Sequence, residues 1–106
     1  MIAQTPQPPY YAVIFTSIRT AVDNGYGQTA DRMVELAAQQ PGFLVVESAR
    51  NEIGITVSYW VSLEAIQHWR QHAEHTLARE QGRREWYYAF KTRICKVERD
   101  YLFENQ

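Results

Sequence analysis

A chain of 106 residues with 45% hydrophobic and 22% charged side chains is one ordinary globular domain. Its 11 basic and 12 acidic residues leave a net charge of −1, which gives no basic footprint for nucleic acid. A single cysteine, Cys95, excludes an internal disulfide and a cysteine zinc site, and its expected place is a buried structural thiol.

Residues 1–9 hold three of the four prolines and read as a loose arm ahead of a single domain over 10–106. The opening "MIAQTPQPPYY" lacks the charged and apolar regions of a secretory leader. No apolar run reaches membrane-spanning length, so no membrane partner is expected and the expected compartment is the cytoplasm. "YYAVIFTSIR" (10–19) is rich in β-branched and aromatic residues and predicts a strand. "TAVDNGYG" follows as a loop that turns at Asn24-Gly25. A helix is predicted over 28–40, with Thr29 as its N-cap and Ala30, Met33, Val34 and Ala37 as one apolar stripe. Pro41 ends it.

"FLVVESAR" (43–50) and "GITVSYWV" (54–61) predict two strands joined as a hairpin. Ser62 caps a second helix from Leu63 to about Glu80, with Glu64 in the first turn where the helix dipole favours it. Gly82 ends that helix, and "REQGRRE" reads as its solvated end. A last long strand is expected over 85–103. The order β-α-β-β-α-β predicts a ferredoxin-like α+β fold, four antiparallel strands with two helices on one face.

The uncovered face of such a sheet ordinarily alternates to polar. Here Tyr11, Val13 and Phe15 oppose Ala12, Ile14 and Ile18, while Ile55, Val57 and Tyr59 oppose Thr56, Ser58 and Trp60. In the last strand Tyr87, Ala89 and Cys95 oppose Tyr88, Phe90 and Ile94. Grease on both sides predicts a homodimer, two sheets packed face to face as a dimeric α+β barrel. The competing expectation is a lone domain whose second face lines a ligand cavity.

All three histidines lie in the second helix. At about 100° per residue, Leu63, Ile66, Ala73 and Leu77 share one side, with Trp69 at its edge. Glu64, His68, His72, His75 and Arg79 share the other. The spacing of His68, His72 and His75 suits a metal, but a straight helix turns all three to water, and no metal is expected. A bend near His72-Ala73 would re-phase the second half and turn His75 into a pocket beside Trp69, where an imidazole suits acid–base chemistry.

The strand and helix order, "QPGFLVVES" and above all "YW-x-S-L-E-A-I-x-x-W" (59–69) resemble the antibiotic biosynthesis monooxygenase family, over about residues 10–101. The resemblance implies a pocket between sheet and helices and a cofactor-independent oxygenase. Its substrate would be a small aromatic, phenolic or quinol-type molecule whose carbanion reduces O2 directly. Trp69 matches the family's pocket tryptophan. Haem binding or degradation is the alternative, ranked second because haem-cleaving members carry an asparagine where this chain has Ser17 and an iron-ligating histidine where it has Arg79. A third is a small-ligand-binding dimer without catalysis. The expected catalytic residues are His75 as base, Trp69 as pocket wall and Arg79 on the anion. Ser17, Tyr59, Trp60 and His72 are the expected substrate contacts, with core or interface packing as the competing role of Tyr59 and Trp60.

Overall fold

In the computed structural model, β1 (Tyr10–Arg19) runs through the middle of a four-stranded sheet of order β2-β3-β1-β4, in which β2 is Phe43–Arg50, β3 Gly54–Trp60 and β4 Tyr87–Val97. The structure describes the backbone of residues 2–80 and 83–105 and the side chains of 2–73 and 85–105. Every pairing is antiparallel. The helices are α1 (Tyr26–Ala38), α2 (Leu63–Glu80) and a single turn, α3 (Arg83–Trp86). This is the expected α+β fold.

The helix starts follow from local chemistry. Gly25 precedes α1 at φ 77°, a left-handed conformation that glycine adopts without cost. The helix therefore opens at Tyr26, two residues before the predicted start. Thr29 is already inside it, its N–H donating to the Gly25 carbonyl at 3.1 Å rather than its side chain capping the end. Ser62 does cap α2: its Oγ accepts from the Ala65 N–H at 3.1 Å. Gly42, at φ 84°, lets β2 start directly beneath α2, because a Cβ there would meet that of Ala65 at 2.6 Å. α2 runs as one uninterrupted helix, without the bend near His72 that would have re-phased its second half.

Two bulges break the alternation that the sequence suggests. Phe43 pairs with Trp60 and Val45 with Tyr59, so Leu44 is an extra residue in β2. Ile18 pairs with Ala89 and Arg19 with Tyr87, so Tyr88 is an extra residue in β4. The second bulge turns Tyr87 to the helix side, the side of Phe90, and not to that of Ala89 and Cys95. The last strand is also shorter than predicted. Residues 83–86 wind into α3, and β4 stops at Val97, whose partner Tyr10 is the first residue of β1. Beyond that pair no strand remains to accept hydrogen bonds.

The core between sheet and helices centres on Trp60, which is fully buried, with Ala37 and Ile66 beside it. Its indole N–H donates to Ser58 Oγ at 2.9 Å, so the burial leaves no polar atom stranded. Phe43 meets the ring edge-on at 5.4 Å and Trp69 lies over it at 6.1 Å with 22° between planes.

On the open side of the sheet the chain's own ends are tied down. The Ala3 N–H donates to Glu47 Oε1 at 3.0 Å, and Tyr59 OH donates to Glu47 Oε2 at 2.6 Å. Thr5 Oγ1 donates to Tyr10 OH at 3.0 Å, and Tyr10 OH donates to Asp100 Oδ2 at 2.5 Å. Tyr10 and Ala12 on this side are buried, while Ile18 and Ile55 stay exposed. The termini therefore cover part of the face that a second copy was expected to hide.

Trp60→Ala should cost about 3–5 kcal/mol in urea unfolding, the range for deleting a buried indole, whereas exposed Leu63→Ala should cost less than about 0.5 kcal/mol. The two donors hold the Glu47 carboxyl below its ordinary value of 4.5. Its contribution to stability is therefore present above that value and is lost as pH falls through the lower folded one. Glu47→Gln should lower stability at neutral pH and lose much less than the parent chain on acidification, measured by urea unfolding at both pH values.

Candidate functional site

A cavity of about 610 Å³ opens between the helix side of the sheet and the two long helices. Val13 and Phe15 of β1 and Thr56 and Ser58 of β3 floor it, and the predicted stripe of α1 (Ala30, Met33, Val34, Ala37) roofs it together with Trp69 and Ala73 of α2. A chamber of this size and mostly apolar wall suits a small planar molecule.

Aromatic clusters stand at both ends. Trp69 closes one, backed by Trp60 and Phe43. Tyr26, Trp86 and Tyr87 close the other. Tyr87 is there because of the bulge at Tyr88. Its ring meets Phe15 edge-on at 5.6 Å, Phe90 at 5.7 Å and Tyr26 at 5.8 Å. Burial, and then the hydrogen bond with Tyr26, push the Tyr87 phenol well above its ordinary value, so it keeps its proton across the physiological range. Tyr26 is fixed from outside by Arg19, whose guanidinium carbon sits 3.3 Å from the ring centroid while Nε donates to the Trp86 carbonyl at 3.1 Å. Trp86 is buried, its indole N–H donating to the Asn24 carbonyl at 2.9 Å.

Among the described residues Arg50, Glu47 and Asp31 line the cavity, but the Glu47 side chain turns to the open side of the sheet. Arg50, the last residue of β2, donates from Nη2 to Ser17 Oγ at 2.5 Å. Glu47 has one oxygen on Ala3 and the other on Tyr59. Asp31 of α1 faces solvent at the rim. Among the described residues no cluster of three histidine, cysteine, aspartate or glutamate side chains is placed to hold a metal.

The expected site residues scatter. Trp69 lines the cavity. Trp60 stands behind it in the core, and Ser17 lies buried behind Arg50. Tyr59 is on the opposite face of the sheet, where its ring meets Tyr10 edge-on at 5.8 Å. His72 is exposed, its ring 5.8 Å from that of Trp69, and His68 is exposed one turn earlier. His75 and Arg79 lie outside the described side chains. Sequence reasoning missed Tyr26, Tyr87 and Arg50. An aromatic in a Gly-flanked loop and an arginine at a strand end both read as surface, and period-two alternation sends Tyr87 to the wrong face. The one available signal for Arg50 was Gly54, four positions on across a tight hairpin, a small residue where a bulky neighbour needs room.

The antibiotic biosynthesis monooxygenase family model matches residues 9–81. The uncharacterized protein YqjZ of Bacillus subtilis (strain 168) is 57% identical over 105 residues, covering 97% of this chain and 92% of its own. Among solved structures, SnoaB, a cofactor-independent oxygenase from Streptomyces nogalater, superposes with a TM-score of 0.73 at 14% identity, over 92% of this chain and all of that one. NE2512 of Nitrosomonas europaea, a protein of unknown function, gives 0.71 at 8% identity, over 94% of this chain and all of its own. Identities this low establish a shared fold alone. The family match over residues 9–81, most of the chain's length, establishes that the chain belongs to the antibiotic biosynthesis monooxygenase family.

Proposed function

We propose that the protein is a cofactor-independent monooxygenase of a small planar aromatic, phenolic or quinol-type substrate, working as a cytoplasmic homodimer. The observation that carries this reading is the apolar chamber between two aromatic walls, with Trp69 at one end and the Tyr26–Tyr87 pair at the other. The resemblance to SnoaB supports it. No helix among the described residues is long and apolar enough to cross a membrane.

In such a chamber a phenol loses its proton to an acceptor, and the electron-rich ring carbon delivers electrons to O2. A peroxide forms at that carbon. Loss of water then leaves a carbonyl, so that phenol and O2 give quinone and water. The low-dielectric wall raises the reactivity of the anion, and fixed donors hold it. The Tyr26–Tyr87 hydroxyl pair, in which Tyr87 keeps its proton, is the proposed source of one such donor. Asp31 is the proposed proton acceptor on the described wall, because the Glu47 carboxylate lies on the open side of the sheet, bonded to Ala3 and Tyr59. His75 is the second proposed acceptor, two positions beyond cavity-lining Ala73, although the uninterrupted α2 leaves the re-phasing it required without support. Arg79 keeps its proposed role on the anion, and His72 its proposed place beside Trp69. The described lining carries no histidine or cysteine, which fits haem poorly, and no step is routed through it. The homodimer is supported by the exposed apolar residues left on the open side of the sheet, Ile18 and Ile55 among them, and by the exposed Tyr101, Leu102 and Phe103 after β4.

Oxygen consumption with 1,4-dihydroxynaphthalene, followed by electrode above the autoxidation rate, should appear with the parent chain and fall about tenfold or more in Trp69→Ala and Asp31→Asn. The absence of enzyme-dependent uptake across a panel of phenols and quinols would sink the oxygenase reading. Sedimentation equilibrium should return twice the chain mass of 12.4 kDa, and a single-chain mass at micromolar concentration would overturn the dimer.

A further inference from the structure

At the corner of the cavity where β2 turns into β3, three residues depend on one another. Ser17 is almost wholly buried, and its Oγ accepts from Arg50. Ser17 and Gly54 are direct partners across the β1–β3 ladder, and Arg50 and Gly54 are partners across the β2–β3 ladder. All three therefore point to the helix side of the sheet. Gly54 is what lets the guanidinium lie there: a Cβ on Gly54 would sit about 2.0 Å from Arg50 Nη2 and 2.1 Å from its Cζ. The arginine thus lies flat across a bare stretch of backbone, pinned at one nitrogen.

A guanidinium carries five N–H donors. Among the described residues this one makes a single side-chain hydrogen bond, to Ser17, and no carboxylate pairs with it. The other cation near this end, Arg19, is occupied by two backbone carbonyls, the face of Tyr26 and Asp23. Arg50 and Gly54 both line the cavity, and the charge of Arg50 is felt by the Tyr87 phenol across it. A cation held by a single hydrogen bond beside a neutral phenol, on a mostly apolar wall, is a receptor for an anionic oxygen. The carboxylate of Asp31 lines the same cavity from α1 and opposes such a ligand, which makes the position of the anion at the Arg50 corner selective.

We infer that Arg50, laid over Gly54 and held by Ser17, is an anion-binding residue of the cavity, and that its ligand is a planar aromatic carrying a carboxylate. This deepens the reading of the cavity as a substrate chamber and rests on it. The fork of a guanidinium matches a carboxylate in plane, and its aromatic body then runs along the floor toward Trp69.

The test compares two probes with the same ring, 1-hydroxy-2-naphthoate and 1-naphthol, by isothermal titration calorimetry on the full chain at neutral pH. The parent chain should bind the naphthoate about tenfold or more tightly than the naphthol. Arg50→Gln should abolish that preference and leave naphthol affinity within about twofold. Gly54→Ala keeps the charge but displaces it, and should lower naphthoate affinity in the same direction, which covers the case in which Arg50→Gln does not fold. Equal affinity for both probes in the parent chain, or a preference that survives Arg50→Gln, overturns the inference. Oxygen uptake separates the two readings. Preference without turnover leaves the anion site standing and removes the oxygenase, and turnover without preference does the reverse.

Discussion

The separation between sheet and helices is set by aromatic rings, and the rest of the molecule follows from it. At one end Trp60 rises from the sheet and meets Trp69 of α2 and the edge of Phe43. At the other, Trp86 and Tyr87 meet Tyr26 at the start of α1. Between these props much of the lining is small or slender: Ala30, Ala37 and Ala73 above, Ser58 and Thr56 below. Large residues at the ends and small ones in the middle leave a chamber where a uniform set of leucines would have left a filled core. Stability and cavity are therefore produced by the same residues.

The props are held in turn by backbone irregularities. The extra residue at Leu44 gives Phe43 and Val45 to opposite faces, so that Phe43 reaches Trp60 while Val45 faces away. The extra residue at Tyr88 does the same for Tyr87. Bulges re-aim side chains without changing the strand order. Each places one aromatic ring at one end of the chamber.

This explains which features were legible in the sequence. Strand limits at 10–19 and 43–50 follow from composition and punctuation, and the α1 stripe from its period. The Ser62 cap was visible because its chemistry is local. The misses share a different cause. Thr29 looked like a cap, but the left-handed Gly25 had already turned the chain into the helix. The last strand looked continuous to Phe103, but a strand lasts only as long as its partner, and β1 begins at Tyr10. Tyr87 and Arg50 were hidden because their roles depend on a bulge and on a cross-hairpin glycine, neither of which leaves a periodic mark. The order of strands and helices carried the fold, and the family resemblance pointed to Trp69. It gave no hint of Arg50, which belongs to the local geometry of this hairpin.

The hydrogen bonds at Tyr10 have one more consequence. Thr5 Oγ1 and Asp100 Oδ2 share that phenol and lie 3.5 Å from each other, although the two residues stand at opposite ends of the chain. The arm before β1 and the segment after β4 are thus fastened at one phenol, so that loss of its hydroxyl would release both together.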